Sequence, residues 1–126
     1  MLLIEIMRRL DEVARLNEAL KRYRECLDIE PAIPSVSIYV VDVGGVVCDK
    51  NSCTVETRTG SFVVLADGRV VVRGRVWSWL VTSRELCSLF EHIELLRGKI
   101  EESIRELDEK IEEMKTLLAE ATLLCS

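Results

Sequence analysis

Ser61-Phe62-Val63-Val64-Leu65-Ala66-Asp67-Gly68-Arg69-Val70-Val71-Val72-Arg73 is the stretch on which the fold turns. Two runs rich in β-branched and aromatic residues flank Asp67-Gly68, and that dipeptide between such runs predicts a β-hairpin closed by a two-residue turn with positive φ at both positions. Towards the N-terminus the same period of two continues. Val36, Ile38 and Val40 alternate with Ser35, Ser37 and Tyr39, and Gly44-Gly45, Asp49 to Ser52 and Thr59-Gly60 punctuate the Val-rich runs that follow. The spacing predicts an antiparallel meander of four or five strands from Ser35 to about Thr82.

Outside the meander the period changes to that of a helix. Leu3, Ile6, Leu10, Val13, Asn17, Leu20 and Leu27 recur in steps of three and four, which predicts an amphipathic helix over residues 2–29. Asp11 with Arg15 and Glu18 with Arg22 are spaced to brace its solvent face, and Pro31 and Pro34 stop it. After the sheet, Thr82 and Glu85 form a capping box. Ile93, Ile100, Ile104, Leu107, Ile111, Met114, Leu118, Ala121 and Cys125 then keep a heptad seam broken only at Arg97. The expected fold is therefore α+β: an N-terminal helix, the meander, and a long leucine-zipper-like coiled-coil helix. Residues 1–92 are expected to form a helix-plus-sheet binding domain and residues 93–126 an oligomerisation helix. Ile100, Ile104, Leu107, Ile111, Met114 and Leu118 are its expected contacts in a homo-oligomer, dimer or tetramer, because a two-sided apolar stripe on so long a helix needs a partner to bury it.

The composition limits what such a chain can do. Of 126 residues, 48% are hydrophobic and 31% charged, which fits a folded domain and excludes a disordered chain. Apolar runs such as Val36 to Val41 are too short to span a bilayer, and Glu5 and Arg8 interrupt Met1-Leu2-Leu3-Ile4 as a secretory segment; a cytoplasmic protein without membrane partners is expected. The net charge of −5 is uneven: residues 85–126 carry five bases against eleven acids, whereas residues 31–84 carry six bases against four acids. The middle of the chain is the mildly basic part, which leaves room for a nucleic-acid surface there. Five cysteines occur. Cys48 and Cys53 read as a disulfide across an intervening turn or as buried thiols, Cys125 as part of the seam, and no spacing matches a zinc site.

Few residues suggest catalysis. His92 is the single histidine, and between Glu91 and Glu94 on a helix it reads as exposed or capping, with no nucleophile paired to it. Gly44-Gly45 extends to no phosphate-binding pattern. Asp42, Asp49 and Asp67 fall at turns, where Asp is favoured for backbone reasons. No enzyme activity, cofactor, metal or small-molecule substrate is expected. One strip asks for a ligand. Alternation from Arg69 onwards puts Arg69, Val71, Arg73, Arg75, Trp77 and Trp79 on one face, with Val70, Val72, Val76 and Leu80 on the other. Arginine neutralises phosphate and an indole stacks on any base, so this strip suits single-stranded nucleic acid. Tyr39 and Phe62 on neighbouring strands are expected to extend it, and Lys21, Arg22 and Arg24 to flank it. The competing reading places both tryptophans in the core and pairs the arginines with the acidic C-terminal helix.

The order of parts, with the segment Ser61 to Trp79 between an N-terminal helix and a zipper-like helix from Ser83, resembles the ThermoDBP-related single-stranded-DNA-binding proteins of archaea. Those proteins are similar in holding single-stranded DNA in an apolar cleft with basic flanks and in oligomerising through their C-terminal part. The resemblance implies an archaeal, thermophilic source and binding of single-stranded DNA, with RNA as the related ligand. It makes Trp77 and Trp79 cleft lining, and Arg69, Arg73 and Arg75 the basic flank. The alternatives are a prefoldin-like chaperone subunit, which also sets β-hairpins between long helices, and a coiled-coil adaptor without a ligand.

Overall fold

The computed structural model describes residues 1–58, 60–73 and 83–125, with the side chains of Arg73 and Ser83 left aside. The period of two becomes five strands, β1 (Val36–Val40), β2 (Gly44–Cys48), β3 (Ser52–Glu56), β4 (Ser61–Leu65) and β5 (Val70–Arg73). They pair antiparallel in chain order, so the sheet is an uncrossed meander.

The turn between β4 and β5 differs from the expected two-residue hairpin. Leu65 N donates to Arg69 O at 2.8 Å and Gly68 N donates to Leu65 O at 2.9 Å. The loop therefore has three residues, and only Gly68, at φ 91°, takes the left-handed conformation; this is the turn that adds a glycine bulge. Val64 consequently faces Val70, and Phe62 faces Val72. Gly44 and Gly45, expected as turn residues, lie inside β2. A Cβ at Gly44 would stand 2.1 Å from the Glu56 carbonyl oxygen, so the close approach of β3 demands glycine there.

Register sorts the strands into faces. The row Ile38, Val46, Val55, Phe62, Val72 and the row Val36, Cys48, Cys53, Val64, Val70 point inward. Their central members are buried, and with the helices they form one core cluster. Asp49 N donates to Ser52 O at 2.9 Å, so the adjoining pair Cys48 and Cys53 occupies the closer, non-hydrogen-bonded position. A disulfide joins them.

α1 (Leu2–Leu20) buries Leu3, Ile6, Met7, Leu10 and Val13. It meets the sheet at its first turn, where Cys53 Sγ lies 3.8 Å from the Leu3 carbonyl oxygen. The helix predicted over residues 2–29 is broken after α1 by a 3₁₀ turn (Lys21–Tyr23) and a short α2 (Arg24–Leu27); Asp28 ends it at φ 51°. Asn17, placed by its spacing in the apolar stripe, pins the following loop instead. Its Nδ2 donates to Ala32 O at 2.7 Å, and Ala32 N donates to its Oδ1 at 3.0 Å.

The C-terminal helical stretch is divided at Leu96 into α3 (Ser83–Leu95) and α4 (Arg97–Leu124). α4 runs parallel to α1: Arg9 Nε bonds Asp108 at 2.7 Å, Lys115 Nζ lies 3.3 Å from Glu12, and Cys26 is disulfide-bonded to Cys125. The seam on α4 is thereby covered within the chain. Ile100, Leu107, Ile111 and Met114 are buried in the core cluster with the inner face of α1, and Ile104 and Leu118 are half-buried against it. The premise that this helix needs a second chain to bury its stripe does not hold, because α1 supplies the covering surface. Cys125, expected as a packing residue, is instead a disulfide partner. Among the described residues, no helix is long and apolar enough to cross a membrane.

Candidate nucleic-acid interface

Among the described residues the helices pack on one side of the sheet and leave the other side open. Two register rows make that outer face: Ser37, Val47, Thr54, Val63, Val71, and Tyr39, Gly45, Glu56, Ser61, Arg73. The solvated face of an antiparallel sheet is ordinarily polar. Here Tyr39 is 74% exposed, Val47 54% and Val71 46%. Val63 sits half-buried between Thr54 and Val71. Alternation thus produced an apolar floor on the wet side, interrupted by Thr54.

Two cations stand at one end of this floor. In a meander, alternate turns share an end, and Ala66 N donates to Asn51 O at 3.0 Å, tying the β2–β3 turn to the β4–β5 turn. Lys50 and Arg69 lie in those two turns, both exposed. Arg69 is already engaged, its Nε bonding Asp67 Oδ2 at 2.6 Å while its backbone N donates to Asp67 Oδ1. These bonds hold the Asp67 carboxyl below its usual range, the backbone donor first. Lys50 was missed by the sequence reading, although the meander order alone places its turn beside that of Arg69. At the opposite end Arg73 takes the register position facing Ser61, whose hydroxyl donates to the Glu56 carboxylate.

The remaining expected residues divide three ways. Arg75, Trp77 and Trp79 lie outside the described residues. Phe62 is corrected: it is 5% exposed on the inner face, packed in the core, because its partner Val72 faces the helices. Lys21, Arg22 and Arg24 follow Leu3 by 18 or more residues, about 27 Å along the helical axis from the contact of Leu3 with the sheet. There the Arg22 guanidinium sits over the Tyr23 ring, 5.0 Å from its centroid, and the half-buried Arg24 keeps a buried Nε without a partner among the described residues.

His92, expected to be exposed or capping, is 7% exposed. Its ring closes the end of the sheet against Gly44. Burial lowers its pKa from 6.5, and a hydrogen bond to the Glu56 backbone opposes that in part. Among the described residues, no group of three or more His, Cys, Asp or Glu is placed to hold a metal. Compared with known proteins, the chain matches no family model, no curated protein and no solved structure.

Proposed function

We propose that the chain binds single-stranded DNA, largely without regard to sequence, on the open face of its sheet. The observation that carries this reading is an exposed floor of Tyr39, Val47 and Val71 where a solvated sheet face would be polar, with Lys50 and Arg69 in the turns at one end. Bases stack on Tyr39 and lie over the valines, each stacked base contributing about 1–3 kcal/mol. Lys50, Arg69, Arg73 and Arg75 take phosphates, and Trp77 and Trp79 lengthen the stacking surface, in line with the resemblance to the ThermoDBP-related proteins. Lys21, Arg22 and Arg24 are too remote for the same few nucleotides. RNA is the alternative ligand, distinguished by competition.

Self-association into a dimer or tetramer belongs to the same proposal. α1 occupies most of the α4 seam, so a zipper-like contact between chains would use what is left at the end of α4. There Leu123 and Leu124 are exposed and Leu117 is half-buried. The same uncovered leucines are what favours the chaperone reading, which suppression of client aggregation would test.

The decisive measurement is fluorescence anisotropy of labelled oligo-dT at several salt concentrations. Three or four phosphate contacts predict that log K falls against log salt with a slope of about −2 to −3. Absent or salt-independent binding ends the proposal.

A further inference from the structure

Where the β1–β2 and β3–β4 turns meet α3, a cavity of about 390 Å³ opens at the end of the sheet, within the size range of small-molecule sites. One wall is a single face of α3. Ser88, Glu91, His92 and Leu95 stand at the spacing that aligns side chains on a helix, and all four line the cavity. Asp42 and Arg58 form the facing wall, joined by Arg58 Nε donating to the Asp42 carbonyl oxygen at 2.8 Å. Asp42 takes φ 65°, left-handed backbone that is uncommon outside glycine. The bond anchors the guanidinium by one nitrogen and leaves its paired Nη groups as a donor edge. His92 closes the inner end of the cavity: it is more than nine-tenths buried, and its Nε2, without a hydrogen-bond partner among the described residues, is itself sealed from the cavity, so the ring presents only its edge there.

Charge narrows the occupant. Among the described residues the walls carry one guanidinium against the two carboxylates of Asp42 and Glu91, a balance that repels phosphate and other anions. Among the described residues no cluster suits a metal. What fits is a neutral, flat molecule with adjacent acceptors for the guanidinium and adjacent donors for a carboxylate. Of the bases, guanine alone offers both. Its O6 and N7 are the pair that arginine contacts in bidentate fashion, and its N1–H and N2–H groups are donors on the neighbouring edge. Adenine sets a donor beside N7, and thymine has no pair of adjacent donors.

We infer that this cavity reads one guanine base of the bound strand, Arg58 donating to O6 and N7 and the Glu91 carboxylate accepting from N1–H and N2–H. Leu95, exposed at the rim, covers the base plane. The inference rests on the single-strand reading above for how the base arrives, and it adds one selective position to a surface otherwise indifferent to sequence.

The test compares labelled dT oligomers with otherwise identical oligomers carrying a single central dG, dA or dC. The dG oligomer is expected to bind about tenfold tighter, the effect of one good bidentate contact. Arg58→Gln and Glu91→Gln are each expected to remove that preference while leaving dT affinity and circular dichroism unchanged. Equal affinity for all four oligomers overturns the inference, and so does a dG preference that survives both substitutions. Should no oligomer bind, the single-strand reading falls, and free guanosine decides the cavity separately. Displacement of the His92 ring resonances by guanosine and not by adenosine upholds it. Unmoved resonances overturn it.

Discussion

Gly68 decides more of the outer surface than any residue that faces it. Its positive φ makes the β4–β5 loop three residues long, and a register shift of one would exchange the faces of the paired strand. With the two-residue turn that Asp67-Gly68 suggests, Phe62 would lie opposite Arg73 on the open face. With the observed turn it lies opposite Val72 in the core. That one loop residue is why Phe62 was misplaced from sequence, whereas Val70, Val71 and Val72 were assigned correctly from alternation within their own strand. Two substitutions separate the roles. Tyr39→Ala is expected to weaken oligo-dT binding by about 1–3 kcal/mol at unchanged melting temperature, and Phe62→Ala to lower unfolding free energy by about 3–5 kcal/mol. Equal effects of the two on melting would refute the assignment of faces. His92 was misread because no local pattern announces that Gly44 lets its ring in. Burial depresses its pKa in the folded chain below the 6.5 of an unfolded one, so the unfolded state takes up the proton first. The resulting stability is present above pH 6.5 and lost as pH falls through the folded value. Thermal melts between pH 7.5 and 5 are expected to show this loss, and His92→Phe to flatten the dependence in that window.

At the scale of elements, the strands and both long helices follow directly from periods of two and of three to four. What the pattern could not supply is which apolar stripes meet. The stripe on α1 and the seam on α4 each suit a helical partner, and heptad spacing is indifferent to whether that partner is the same chain or another. Two cross-helix links support the pairing within the chain. Arg9 bonds Asp108, and this bond raises the guanidinium pKa further, while Lys115 reaches Glu12. Neither residue pair is near in sequence, so neither was legible before the fold. Ile111→Ala is expected to cost about 2–5 kcal/mol in unfolding free energy while leaving the mass in light scattering unchanged. A fall in mass would show the seam engaged between chains.

The whole molecule is a sheet-and-helix head continued by a pair of parallel helices whose far end is fastened by Cys26–Cys125. The bridge spans 99 residues, against 5 for Cys48–Cys53. Loop-closure entropy in the unfolded chain then assigns about 4–5 kcal/mol to the long bridge and about 2 kcal/mol to the short one. Replacing Cys26 and Cys125 by Ser is expected to lower the melting temperature markedly more than replacing Cys48 and Cys53, provided the latter pair is exchanged for apolar residues that keep the core filled. The reverse order in calorimetry would contradict that entropy argument. Sequence spacing hinted at the short bridge through the turn it crosses. The long one joins cysteines from opposite ends of the chain and had no local sign.

That long bridge also governs how the molecule bears tension. A pull on the two termini travels through residues 1–26, crosses the sulfur atoms and leaves at residue 125, so the sheet is bypassed. The tether can lengthen only by peeling the first helical segment, to roughly 90 Å at full extension. Under reducing conditions the same pull would reach every strand.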